Sequence, residues 1–189
     1  MEKSRCNWAE SNEKMMGYHD EVWGVPLYDD QQLFAKLMLD LNQAGLSWNT
    51  ILNKWESFHQ AYDDFEIAKV ANYTTEKIES LMNDAGIIRN RRKINAAVIN
   101  AQKVLEIQKE WGSFSVYLWS FVDGKPVVNH WEHLEEVPTT SPLSDTISKD
   151  LKRRGFSFVG STTIYAFLQA VGIVNDHLVT CFRHGELSS

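Results

Sequence analysis

The chain has 189 residues, 43% of them hydrophobic and 23% charged, which suffices for one sizeable core but not for two large domains, so residues 1–189 are expected to form a single domain. Apolar runs such as 164–174 reach about half of the ~20 residues a membrane helix needs, Gln169 interrupts that one, and no apolar run follows the first positive charges, so the cytoplasm is expected rather than a membrane or secretory destination. A net charge of -6 excludes coating of nucleic acid by bulk attraction, yet eight of the 19 Lys and Arg residues crowd into two clusters, Arg89, Arg91, Arg92, Lys93 and Lys149, Lys152, Arg153, Arg154. Such clusters suit an anionic partner; they suit solvated helix faces equally well.

Helical spacing dominates the chain. Leu33, Phe34, Leu37, Met38 and Leu41 describe an amphipathic helix opened by Asp29 and Asp30, and Trp48, Ile51, Leu52 and Trp55 continue the rhythm after a break at Gly45. Thr74 or Thr75 caps a short helix through Leu81, and Ile94, Ala97, Val98, Ala101 and Leu105 mark a longer one. Basic residues in its first turn oppose the helix dipole, which assigns Arg89 to Lys93 to a ligand rather than to the helix. Ser141-Pro142 opens a helix through Arg154 that stops at Gly155, and a helix from Ser161 or Thr162 through Ala170 ends at Gly172. Together these form a helix-hairpin-helix element over about 142–173. Val127 and Val128 are the only strand candidates, and the expected fold is all-α.

Three constellations carry chemistry. His177 and Cys181 lie four apart and share one side of a helical turn, while Cys6 and His19 offer two further ligands near the other end of the chain. A Cys2His2 set fills a tetrahedral zinc site and leaves no position for water, so such a site is structural and pins the N-terminal segment to the C-terminal one; the alternative is two buried thiols and two ordinary histidines. His59, His130, His133 and His184 are expected on the surface. The turn Gly155 to Gly160 offers the free N–H groups of a helix start to a phosphate, with Lys152, Arg153 and Arg154 beside it; a plain tight turn is the alternative. Tyr18, Trp23 and Trp48 sit with carboxylates near helix ends, where core packing is the ordinary explanation of such rings.

Several blocks in one order give these positions a family. Cys6, Tyr18-His19-Asp20 with Trp23-Gly24, Gln43-Ala44-Gly45-Leu46-Ser47-Trp48, Asp84-Ala85-Gly86-Ile87-Ile88-Arg89, Lys152-Arg153-Arg154-Gly155-Phe156 with Phe158-Val159-Gly160, and Asn175-Asp176-His177 with Cys181 closely resemble bacterial 3-methyladenine DNA glycosylase I of the helix-hairpin-helix superfamily, over nearly the whole chain. The resemblance implies a structural Zn2+ held by Cys6, His19, His177 and Cys181. It implies a hairpin, with Lys152, Arg153, Gly155, Gly160 and Ser161, that grips the DNA backbone without reading sequence. It further implies a loop at Gly45 and Leu46 that fills the gap left by an extruded nucleotide, and a base pocket walled by Tyr18, Trp48 and Trp23, with Met15 over the base and Asp40 as its carboxylate. The implied activity is monofunctional hydrolysis of the N-glycosidic bond of 3-methyladenine in alkylated duplex DNA by a monomer.

Two positions depart from the family pattern. Glu is usual where this chain has Asp40, and Tyr is frequent where it has Met15. A carboxylate shortened by one methylene withdraws its oxygens by about 1 Å, the difference between a good hydrogen bond and none, and Met15 covers a base face without donating. The alternatives these departures keep open are a zinc-stabilised protein that binds alkylated DNA but excises weakly and, more remotely, a zinc hydrolase of small molecules. Asp176 is expected to cap or orient His177 rather than to join the chemistry.

Overall fold

The computed structural model describes residues 3–188 and is almost entirely helical. After a 3-10 turn at Asn7–Ser11 come α1 (Glu13–Glu21), α2 (Asp30–Gln43), α3 (Trp48–Asn53), α4 (Trp55–Ala61), α5 (Ile67–Ala71), α6 (Thr75–Met82), α7 (Arg91–Trp111) and α8 (Phe114–Ser120). Strand β1 (Val127–Val128), α9 (Pro142–Arg153), α10 (Ser161–Ala170), β2 (Val174–Asn175) and α11 (Phe182–Glu186) complete the chain. Caps set these boundaries: Asp29, Ser47, Thr74, Asn90, Ser113 and Ser141 each accept a backbone N–H of the first turn they open.

α2 is the axis of the core. Every residue from Leu33 to Asn42 is buried, so it is enclosed on all sides rather than amphipathic as its spacing predicts. α7, α8 and α10 pack against it, and the main core extends from Leu33 to Val174. The sequence rhythm over Trp48 to Trp55 resolves into two helices broken at Lys54. The strand expected at Val127 finds a partner that the sequence did not announce: β1 and β2 run parallel, with Val127 opposite Val174 and Val128 opposite Asn175, and β2 delivers the chain to Asp176 and His177. Among the described residues no helix is long and apolar enough to cross a membrane.

The α9–α10 hairpin is braced from α7. Gly155, at φ +93°, makes the left-handed turn that ends α9. Asn100, fully buried, accepts from the Ser157 N–H at 2.8 Å and donates to the Ser157 carbonyl at 2.9 Å, while the Ser148 hydroxyl donates to the Val159 carbonyl at 2.6 Å.

Candidate functional site

Two neighbouring features share α1. The first is a buried cluster. Cys6 precedes the 3-10 turn, His19 lies near the end of α1, His177 follows β2 and Cys181 caps α11, and their four donor atoms lie within 4.8 Å of one another. The Cys6 Sγ to His177 Nδ1 separation is 3.7 Å, Cys181 Sγ to His19 Nε2 3.4 Å and Cys181 Sγ to His177 Nδ1 3.5 Å. Tetrahedral zinc with ordinary Zn–S and Zn–N lengths requires roughly 3.6 Å along each S···N edge, so the four residues fit a metal ion of that kind.

The surroundings fix which ring atoms face the cluster. His19 Nδ1–H donates to Asp20 Oδ1 at 2.8 Å, leaving Nε2 free, and Asp20 is gripped in turn by the Arg5 guanidinium at 2.7–3.0 Å. His177 Nε2–H donates to the Trp23 carbonyl at 3.1 Å, leaving Nδ1. Gly24 makes room for that ring: a Cβ there would lie 2.8 Å from His177 Nε2. The Leu178 N–H donates to Cys6 Sγ at 3.5 Å. The Cys181 thiol is held far below its ordinary range by bonds from Cys6, His177 and His19, and the Cys6 thiol is pushed up by its bond to Cys181.

Asp176 does not orient His177. Its carboxylate accepts from Asn129 Nδ2 at 2.7 Å, Trp131 Nε1 at 2.8 Å, Gln169 Nε2 at 2.8 Å and the Tyr165 hydroxyl, and so ties β2 to α10 and to the segment after β1. His184 is likewise not a surface residue: it is buried, with Nε2 bonded to the Asn129 carbonyl at 2.8 Å.

The second feature is a cavity of about 320 Å³ beside the cluster, walled by Met15, Tyr18, Trp23, Asp40 and Trp48, together with Trp8, which sequence reasoning missed. The Tyr18 and Trp48 ring centroids lie 5.1 Å apart at 40°, and Trp8 stands edge-on to Trp23 at 5.1 Å. Inside this aromatic enclosure Asp40 is 5% exposed. Its Oδ2 and the Trp48 Nε1 are buried with no hydrogen-bond partner among the described residues. Unpaired buried polar atoms are costly, and here one acceptor and one donor belong to the wall of a single cavity, the complement of a ligand that offers both. Burial pushes the Asp40 carboxyl up to about 7, with Lys36 opposing.

Lys36 is the second omission of the sequence reading. It is 4% exposed, one helical turn before Asp40, and its ammonium donates to the Tyr18 hydroxyl at 2.7 Å. A lysine inside a helical repeat reads as solvent-facing, and nothing in the sequence marks this one as buried.

The DNA-facing candidates divide. Gly45, at φ +81°, turns the chain after α2, and Leu46 beside it is 41% exposed. Lys93 serves this loop rather than a ligand, donating to the carbonyls of Asn42 and Ala44 at 2.8 Å each; Arg91 pairs with Glu79. The sequence assigned both to a ligand because basic residues oppose the dipole of their own helix; Lys93 instead meets the negative C-terminus of α2. Near the hairpin Arg154 is committed to Asp150 and Glu110, and Arg153 to Asp150. Lys149 and Lys152 are exposed. The Ser161 hydroxyl donates to Asp145 at 2.5 Å, so what α10 offers at its start is backbone N–H, and its cap residue Gly160 supplies no side-chain bond.

Comparison with known proteins gives one consistent picture. The family model described as methyladenine glycosylase matches residues 8–184. The DNA-3-methyladenine glycosylase of Haemophilus influenzae is 45% identical over 178 residues, 94% of this chain and 96% of that protein. DNA-3-methyladenine glycosylase 1 of Escherichia coli K12 is 45% identical over 177 residues, 94% and 95% of the two chains. A solved structure bearing on 3-methyladenine recognition by 3-methyladenine DNA glycosylase I from Staphylococcus aureus superposes with a TM-score of 0.91 at 43% identity, covering 94% of this chain and 95% of that one.

Proposed function

Because the chain belongs to the methyladenine glycosylase family, we propose that it excises 3-methyladenine from alkylated duplex DNA by hydrolysing the N-glycosidic bond of the extruded nucleotide. The observation that carries this reading is the buried, unpartnered Asp40 Oδ2 in a wall of aromatic rings. A base methylated at N3 is cationic while attached to deoxyribose and leaves as a neutral molecule. The bond between C1′ and the base nitrogen breaks with its electron pair going to the base, water adds at C1′, and its proton passes to solvent. No acid is needed for the leaving group; the chain must flip, select and hold.

Tyr18, Trp48 and Trp23 are the walls of the base site and Met15 covers one side. An electron-poor cationic ring gains about 0.5–2 kcal/mol over such rings relative to a neutral one. Asp40 accepts an N–H from the base edge and favours its positive charge. Leu46, carried on the Gly45 turn that Lys93 holds, enters the duplex behind the extruded nucleotide. The hairpin, with Gly155, Gly160, the Ser161 N–H, Lys152 and the outer edge of Arg153, holds the backbone, its lysines drawn by phosphate charge. The chain acts in this reading as a monomer of one domain spanning 1–189, on cellular DNA in the cytoplasm.

Cys6, His19, His177 and Cys181 would hold Zn2+. A set of four protein ligands would fill such an ion's positions, so it would serve the fold and supply no step of the hydrolysis. The test is release of free base from methylated duplex DNA, resolving 3-methyladenine from 7-methylguanine. Selective release of 3-methyladenine, depressed in Asp40→Asn and kept or raised in Asp40→Glu, is expected. DNA binding with no base released by wild type or Asp40→Glu would overturn the reading in favour of a protein that recognises lesions without excising them.

A further inference from the structure

The mechanism above leaves one buried charge unused. The Lys36 ammonium lies 4.6 Å from the Tyr18 ring centroid, 4.8 Å from that of Trp48 and 5.1 Å from that of Trp55, and among the described residues its hydrogen-bond partner is the Tyr18 hydroxyl alone. An aliphatic side chain would fill this aromatic box without the desolvation that an ammonium incurs. Three ring faces offset part of that cost but do not explain the charge. Asp40, one turn along α2 and equally buried, is the group that needs it.

We propose that Lys36 is the positioning residue of the base pocket: it supplies the counter-charge that keeps Asp40 a carboxylate and holds the Tyr18 hydroxyl as an acceptor. The proposal rests on the base-pocket reading of Asp40 and Tyr18 and deepens it. An ammonium can only donate, so the phenol oxygen accepts and its own proton is left for an acceptor in the pocket. A carboxylate walled by rings, with Oδ2 unpartnered, would otherwise take up a proton and lose both its acceptor strength and its attraction for a cationic base. The other ionisable groups around the pair are few. Tyr18 and Glu21 stand on α1, His59 on α4, and Cys6 and Asp176 on the far wall of the base cavity; Lys36 is the one Lys or Arg among the described residues lining either of the two cavities that meet at α2. Burial lowers the Lys36 ammonium and the charge of Asp40 holds it up, the reciprocal of what Lys36 does for Asp40.

The test follows the Asp40 carboxyl itself by 13C NMR of aspartate-labelled protein, its signal identified by its loss in Asp40→Asn, alongside the pH profile of 3-methyladenine release. Lys36→Met and Lys36→Gln remove the charge, Lys36→Arg keeps it, and melting curves confirm that each is folded. Both neutral variants should move the Asp40 midpoint upward by about one pH unit and carry the acid limb of excision with it, so that release falls about fivefold near pH 7 and recovers at pH 9, while Lys36→Arg keeps the wild-type midpoint. An Asp40 midpoint unmoved by either neutral variant would overturn the proposal, as would activity lost equally at every pH, the mark of a merely structural lysine. A midpoint that moves while the excision limb stays fixed would uphold Lys36 as the counter-charge and instead remove Asp40 from the excision chemistry.

Discussion

Asp40→Asn should make the protein more stable and less active at once. The wild-type carboxyl is 5% exposed, has an oxygen without a partner and is pushed up by burial from an ordinary 3.8 to about 7. A group whose folded pKa lies above its unfolded one contributes stability that is fully present below about pH 4 and is lost as the pH rises through about 7. Asparagine has the same shape and never ionises, so the variant escapes that loss. The displacement corresponds to a ceiling of about 4 kcal/mol above pH 8. Lys36 loses its counter-charge in the variant and returns part of this, so we expect a gain of about 1–3 kcal/mol. For a chain of this size that raises the melting temperature by several degrees, at roughly 2–4 °C per kcal/mol. Melts of variant and wild type at pH 5 and pH 8.5 isolate the effect, because the difference at the lower pH should be less than half of that at the higher. Excision should fall about 10- to 150-fold over the same range, the worth of one hydrogen bond to a charged group. A stability difference that does not grow between pH 5 and pH 8.5 would refute the reasoning, since Asp40 would then not be a buried carboxylate held ionised against its surroundings.

Further outcomes follow from the other parts of the site. Purified protein should carry about one zinc per chain by atomic spectroscopy, and Cys181→Ser should lose it and melt at a lower temperature, because a metal bound by the folded state alone stabilises that state. Lys149→Ala and Lys152→Ala should each weaken binding of duplex DNA whatever its sequence and reduce the salt slope by about one, while quenching of tryptophan fluorescence by free 3-methyladenine stays unchanged. Arg154→Ala should lower the melting temperature instead, because its guanidinium bridges Asp150 on α9 and Glu110 on α7. Leu46→Ala should impair excision from duplex DNA far more than affinity for the free base, as expected of a side chain that props open a gap and does not touch the ligand.

What the sequence revealed and what it hid have physical causes. Helix starts were legible because Thr74 and Ser141 cap their own helices through local bonds, and Gly155 marked an end because a left-handed turn favours that residue. The four residues of the metal cluster stood out because two thiols are all the chain has and each has a histidine to pair with. Long-range roles were hidden. Lys93 reads as one cation of a basic cluster, yet its ammonium ends α2 from 49 residues away, and Asn100 braces a hairpin 57 residues distant. Asp176 stands next to a residue of the Cys/His cluster in sequence while its side chain points into a hub of four donors from other segments. Lys36 and Asp40 fit a helical repeat whose polar positions ordinarily face water; only the enclosure of α2 on every side turns them into a buried pair.

The position of α1 explains why a cluster able to hold a metal ion lies beside the cavity walled by Tyr18 and Trp48. Tyr18 and His19 are consecutive, and consecutive helical residues project about 100° apart, so one turn of α1 aims a ring at the cavity and an imidazole at the cluster. Trp8 completes the link: its ring lies 5.2 Å from His19, 5.1 Å from Trp23 and 6.5 Å from Tyr18, and it lines the cavity as well. The main core holds α2, and with it Asp40, without help from the chain ends, whereas the smaller core under the N-terminal segment consists of Cys6, Leu178 and Cys181 with a few partly buried neighbours. Three buried residues, with Trp8, Trp131, Val137 and Phe182 packed against them, make a small core in which to fix Trp8. Metal removal should therefore loosen one wall of the pocket before it melts the protein. Chelation at a temperature well below the melting point should weaken quenching by free 3-methyladenine while far-UV circular dichroism stays near its native value, and loss of both signals in a single step would show that the cluster holds the whole fold and not this wall.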